Sequence, residues 1–239
     1  MNESLIQGPI EVVPKSYFDE INEDTIRNAA RRTRGAACPS KLDSDQYKRM
    51  IVSNKFKAEG KQLREQIAVL ARKLVTSIID PAILEAYTTC NLIPLNKNPG
   101  VRPIGVGEIL RRIIGKAIRW TLKQDIQQAA GPLQVATGLE SGEEAAIHAM
   151  REIFEDDDCE AVILVDASNA FNALNRQTAL HNIQYICLAF AIILIDTYRQ
   201  PSRLIISNGK EILSREGTTQ GDNLPCHSTP LEPRQCSFD

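Results

Sequence analysis

The chain has 239 residues, 43% of them apolar and 24% charged, with 13 glycines, 12 prolines and a net charge of −2. That composition suits one folded domain or two small ones, and it excludes wholesale disorder, collagen-like repetition and a sustained coiled-coil rod. The longest apolar run covers residues 186–195 and stops at Asp196, half the ~20 residues that a membrane-spanning helix needs.

The opening stretch has no basic n-region and no apolar h-region, so nothing in it reads as a secretory leader. Six cysteines, Cys38, Cys90, Cys159, Cys187, Cys226 and Cys236, contain no C-x-x-C pair. Reduced thiols in an intracellular protein, nuclear or cytoplasmic and off the membrane, are the expectation. Cys226, His227 and Cys236 fit no usual zinc spacing and lack a fourth ligand. Charge is unevenly placed: residues 27–123 hold 20 Lys and Arg against 7 Asp and Glu, whereas residues 124–239 hold 7 against 17. A polyanion is drawn to the first half and repelled by most of the second.

The first 90 residues read as a helical extension. A helix is expected over 22–34, capped at Asp24 and ended by Gly35, with Arg31, Arg32 and Arg34 in the last turn where cations suit the macrodipole. A second, over 62–79, carries Leu63, Ile67, Leu70, Leu74 and Ile78 at helical spacing and ends before Asp80-Pro81. Residues 91–138 then read as a hairpin, two short apolar runs around Asn98-Pro99-Gly100, followed by a helix over 108–129. That helix sets Ile109, Ile113, Ala117 and Trp120 on one side and leaves Arg111, Arg112, Lys116, Arg119 and Lys123 to solvent.

Residues 139–224 continue the mixed pattern. Ser141-Gly-Glu-Glu144 is a capping box opening a helix through Phe154. The unbroken apolar run 161–165 suits a central strand covered on both faces, and Asp166 follows it directly. Helices fill 176–199, and Asn208-Gly209 marks a hairpin between 203–207 and 210–214. Beyond Leu224, three prolines in fifteen residues make 225–239 an unstructured tail. The fold class is therefore α/β (α+β).

Two phosphate-loop patterns fail. Gly105-Val-Gly107 lacks a third glycine because Leu110 stands there, and Gly115-Lys116 is followed by Ala117 rather than Ser or Thr. Asp166 fits two roles: a cap for the following turn, or a metal carboxylate at the end of a buried strand. Its neighbours extend the pattern: Asp166-Ala-Ser-Asn-Ala-Phe171, then a hairpin leading into Gly217-Thr-Thr-Gln-Gly-Asp222.

These segments resemble the reverse transcriptases of eukaryotic retrotransposons. Leu92-Ile-Pro-Leu-Asn-Lys-Asn-Pro-Gly-Val-Arg-Pro-Ile-Gly-Val106 is similar to the family's fingers hairpin, Val165-Asp-Ala-Ser-Asn-Ala-Phe-Asn172 to its first palm motif, and Ser214-Arg-Glu-Gly-Thr-Thr-Gln-Gly-Asp-Asn-Leu224 to its second. The resemblance implies an RNA-directed DNA polymerase, a nucleotidyltransferase using two Mg²⁺ ions, nucleotide triphosphates and an RNA or DNA template–primer. It implies that Asp166 is catalytic and holds metal, with the Ala167 carbonyl beside it. Phe171 is then a gate against the ribose 2′-OH, or else a core aromatic. Gln220 and Gly221 lie beside the nucleotide, and Lys97 and Arg102 reach its triphosphate unless they are an ordinary exposed tip. Arg111, Arg112 and Lys116 contact nucleic acid.

One departure changes the expected activity. No aromatic-x-Asp-Asp follows the second motif, and Asn223 stands where proline is usual. The expectation is a truncated chain of fingers and partial palm, inactive alone. The alternatives are a non-catalytic nucleic-acid-binding remnant and a functionless pseudogene product.

Overall fold

The computed structural model describes residues 13–35, 39–98, 100–132, 134–135, 141–156, 158–163, 170–206 and 209–219. Helix and sheet are mixed. A 3₁₀ turn (Lys15–Phe18) leads into α1 (Glu23–Arg32) and α2 (Ser44–Ile51). A second such turn (Asn54–Phe56) precedes α3 (Lys57–Thr76), α4 (Pro81–Thr88) and the strands β1 (Cys90–Asn96) and β2 (Val101–Gly107). Then come α5 (Ile109–Thr121), α6 (Lys123–Ala130), α7 (Gly142–Phe154), α8 (Ala170–Ala173), α9 (Arg176–Ile186), α10 (Leu188–Tyr198), β3 (Ser202–Ile205) and β4 (Glu211–Ser214). No helix among the described residues is long and apolar enough to cross a membrane.

The apolar run that is too short for a membrane becomes the central helix. Every residue of α10 from Ala189 to Tyr198 is buried, so the run needs no polar face and shows no helical period. Helices α3, α4 and α9 pack against it, and α1 and α5 pack on α3 and each other. The helices that precede β1 thus share one apolar core with α5, α6, α9 and α10.

The sheet has the order β2-β1-β3-β4, with antiparallel hairpins β1/β2 and β3/β4 joined by a short parallel pairing of Cys90 with Leu204 and Asn91 with Ile205. Pro94 sits opposite Pro103. The Lys97 N–H donates to the Gly100 carbonyl at 2.9 Å, which makes the odd-numbered β1 residues the hydrogen-bonded pairs. Neither proline therefore costs the hairpin a bond. Pro94 offers β3 no donor, consistent with a parallel pairing that stops at Asn91, and Pro103 blunts the free edge of β2. Both expected hairpins form, the second with Gly209 at φ +75°.

Several local expectations are corrected. Helix α1 is capped by Asn22, whose side chain accepts from the Asp24 and Thr25 N–H groups, and it ends at Arg32. The buried face of α3 is rotated from the leucine stripe: Gly60, Arg64, Ile67, Ala68, Ala71, Leu74 and Val75 are inside, while Leu63, Leu70 and Ile78 are exposed. Arg64 enters because Glu23 pairs with it at 2.5 Å and the Ile51 carbonyl accepts from it at 2.8 Å. The expected helix over 108–129 is broken at Leu122 into α5 and α6. Ser141 opens α7 in the left-handed region, φ +54°, and makes no side-chain cap, so the capping box is absent.

The expected central strand over 161–165 is also not found in its described part. Residues 161–163 are irregular, with Ile163 86% exposed. A wholly apolar strand is stable only between two neighbours, and the described sheet has its own strands β1 and β3 in the inner places. Residues 164 and 165 lie outside the described residues, as does the expected tail 225–239.

Candidate functional site

The ends of the three sequence motifs meet at the base of the β1/β2 hairpin. After β4 the chain turns at Gly217, with φ +68°. The Gly217 N–H donates to the Leu174 carbonyl at 2.9 Å and the Thr218 N–H to the Phe171 carbonyl at 2.6 Å. Backbone lies directly on backbone here: a Cβ on Gly217 would stand 2.4 Å from the Phe171 oxygen and 2.6 Å from Asn172 Cα. Only glycine accepts both that φ and that contact. One residue further, buried Thr219 lies against β2, where a Cβ on Gly105 would meet Thr219 Cγ2 at 2.1 Å. The turn is thus wedged between the end of the first motif, at Phe171 and Asn172, and the β1/β2 hairpin.

Arg176 closes this arrangement from below. It begins α9, is 2% exposed, and sends Nε to the Gly217 carbonyl (2.5 Å), Nη1 to the Ser214 carbonyl (2.7 Å) and Nη2 to Ser214 Oγ (2.6 Å). Its guanidinium lies 5.4 Å from the centre of the Tyr198 ring. Burial pulls its pKa below the ordinary arginine value, nearby Arg111 acts in the same direction, and Tyr198 and Glu216 oppose both. Sequence reasoning passed over this residue. A signal was present: a cation in the first turn of a helix opposes the macrodipole, so its place there asks for another reason.

Of the residues singled out from the sequence, Phe171 is half-buried beside this turn, and its carbonyl is one of the acceptors. Lys97 and Arg102 are exposed near the tip of the hairpin. Asp166, Ala167, Gln220 and Gly221 lie outside the described residues. Among the described residues, no three His, Cys, Asp or Glu side chains gather as a metal would require.

The basic helix needs one correction. Arg111 does not face solvent; it is 2% exposed, with Nη1 donating to the Thr88 carbonyl at 3.1 Å and lying 3.7 Å from Cys90 Sγ, and its guanidinium near the Tyr87 and Tyr198 rings. It faces inward because Ile113, Ile114, Ala117 and Ile118 form a buried face broad enough to include position 111. Arg112 and Lys116 are half-buried and reach back to the end of α1. They donate to the Arg34 carbonyl at 3.0 Å and the Arg32 carbonyl at 2.7 Å, satisfying acceptors at the negative end of the dipole. Burial, then the cations Arg119, Arg112, Lys48 and Arg32, pull the Lys116 pKa down. Five basic side chains are therefore gathered along one face of α5.

The described cluster supplies hydroxyls, backbone groups, a fixed guanidinium and the Glu216 carboxylate, whose Oε2 accepts from the Arg176 N–H at 3.3 Å. That inventory suits binding and positioning. No family model matches the chain, and no curated protein matches it.

Proposed function

We propose that this chain is a partial reverse transcriptase, its fingers and the beginning of its palm, which by itself holds a nucleotide triphosphate and a template–primer without joining them. One observation carries the reading. Three stretches chosen for their likeness to reverse-transcriptase motifs, separated by up to about a hundred residues, have their described ends in mutual contact: Gly105 on Thr219, and Gly217 and Thr218 on Phe171. Unrelated surface loops have no cause to meet in that way. Lys97 and Arg102 project from the same hairpin, where phosphate oxygens can be clamped.

Mg²⁺, when bound, supplies two-metal stabilisation of the phosphoryl-transfer transition state, and Asp166 is the residue proposed to hold it. The sequence offers no aromatic-x-Asp-Asp to complete the set. Binding without turnover follows, since each ~1.4 kcal/mol of lost transition-state stabilisation costs tenfold in rate. Primer extension with Mg²⁺ or Mn²⁺, run beside nucleotide binding, tests this. Binding with no extension is expected. Extension above background that disappears in Asp166→Ala overturns the inactive assignment, and the absence of nucleotide binding overturns the site.

The basic cluster favours a second reading, a nucleic-acid-binding protein without nucleotide chemistry. Arg32, Lys48, Arg112 and Arg119 all act on Lys116 along one face of α5, which suits a phosphate backbone. Template–primer binding that is indifferent to nucleotide and to substitution of Phe171 selects this reading.

A further inference from the structure

The position of Arg176 goes beyond what packing requires. A guanidinium buried this deeply is costly, and it is tolerated only where hydrogen bonds or nearby charge repay the lost hydration. Among the described residues no carboxylate lies within ion-pair distance of the Arg176 guanidinium; all three of its side-chain hydrogen bonds go to one short turn, at Ser214 and Gly217. The same turn is held from its other side by the Leu174 and Phe171 carbonyls. Arg176 is two residues beyond Leu174, so a single short segment, 171–176, grips both sides of the turn.

We propose that Arg176 is the positioning residue of this site: it locks the 214–219 turn onto the 171–176 segment, so that Phe171, Thr218 and Thr219 are held as one unit for a nucleoside triphosphate. The proposal rests on the reading of the site as a nucleotide site. Arg176 touches no substrate in this role; it acts through Gly217 and Ser214. A planar fork with three donors aimed at three separate acceptors is what the position uses. Lysine brings the charge without that geometry.

The test combines hydrogen exchange at the Thr218 amide, equilibrium unfolding, and binding of Mg²⁺–dTTP by the full chain. In Arg176→Met, unfolding stability is expected to fall, because the Gly217 and Ser214 carbonyls lose their donor, and exchange at core amides quickens only in proportion to that fall. Exchange at Thr218 should quicken by about tenfold or more beyond the core amides, the scale of one lost charge-assisted hydrogen bond, and nucleotide affinity should fall about tenfold with it. Arg176→Lys should recover part of both. Should Arg176→Met fail to fold, Ser214→Ala removes the Oγ that accepts from Nη2 and is judged by the same two readings. Thr218 exchange that quickens no more than the core amides overturns the clamp, and faster exchange with unchanged nucleotide affinity overturns its positioning role. If the parent chain binds no nucleotide, the proposed function fails, and the clamp stands or falls on exchange alone.

Discussion

Asp196 is the side chain whose ionisation the fold opposes most clearly. It lies near the end of α10 with its side chain fully buried. Both carboxylate oxygens accept from the Ile79 N–H, at 3.2 and 3.1 Å, and Arg199 Nη2 stands 3.5 Å away. Burial pushes its pKa up to about 6, against the Ile79 N–H and Arg199, which pull it down. The unfolded chain carries an ordinary aspartate near 3.9. Below pH ~4 the group is protonated in both states and costs nothing. As pH rises the unfolded state ionises first, so the native state loses stability between pH ~4 and ~6, and the penalty is complete above that. The gap between the folded and unfolded values is worth about 3 kcal/mol at most.

Asp196→Asn removes the ionisation and keeps an oxygen for the Ile79 N–H. At pH 4 the substitution is expected to change little. At pH 7.5 it should stabilise by about 2–3 kcal/mol, or roughly 5–10 °C in Tm for a chain of this size. Urea unfolding of both proteins from pH 4 to 8 gives the difference directly. A difference that stays flat across that window, or that turns in favour of aspartate as pH rises, refutes the reasoning and means that Arg199 outweighs burial.

Further predictions concern the site and its surroundings. Gly105→Ala should destabilise by about 1–3 kcal/mol through its clash with Thr219 Cγ2; Thr219→Ser, which deletes that methyl, should recover most of the loss in a double-mutant cycle. Neutralising Arg32, Lys116 and Arg119 should reduce the salt slope of template binding by roughly 0.7–0.9 per lost phosphate contact, whereas Arg111→Met should leave the slope unchanged because Arg111 is buried. Asn22→Ala should cost about 1 kcal/mol by uncapping α1. Ser141→Gly should stabilise by several tenths of a kcal/mol, since Ser141 is left-handed and makes no cap; thermal unfolding of each variant decides both.

Local chemistry was enough to place much of this molecule in the sequence. Asn98-Pro99-Gly100 and Asn208-Gly209 marked both hairpins, because turn residues act over four positions and need no partner elsewhere. Proline after Asp80 separated α3 from α4, and most of the run ended by Asp196 lies in the buried helix α10. Everything that depended on which face meets which neighbour had to wait for the tertiary structure. Periodicity put leucines at 63 and 70 inside α3, yet the close approach of α1 and α2 admitted Gly60, Ala68 and Ala71 and pulled in Arg64 to meet Glu23. Arg111 looked like a surface cation because charge is read residue by residue, whereas its burial follows from carbonyls and aromatic rings supplied by α4 and α10. The 161–163 segment had the composition of a central strand, yet the described sheet seats β1 and β3 in its inner places. The partners of Arg176 were hidden for the same reason: its acceptors are 38 and 41 residues away, and a hydrogen bond's partner is fixed by the path of the chain through space.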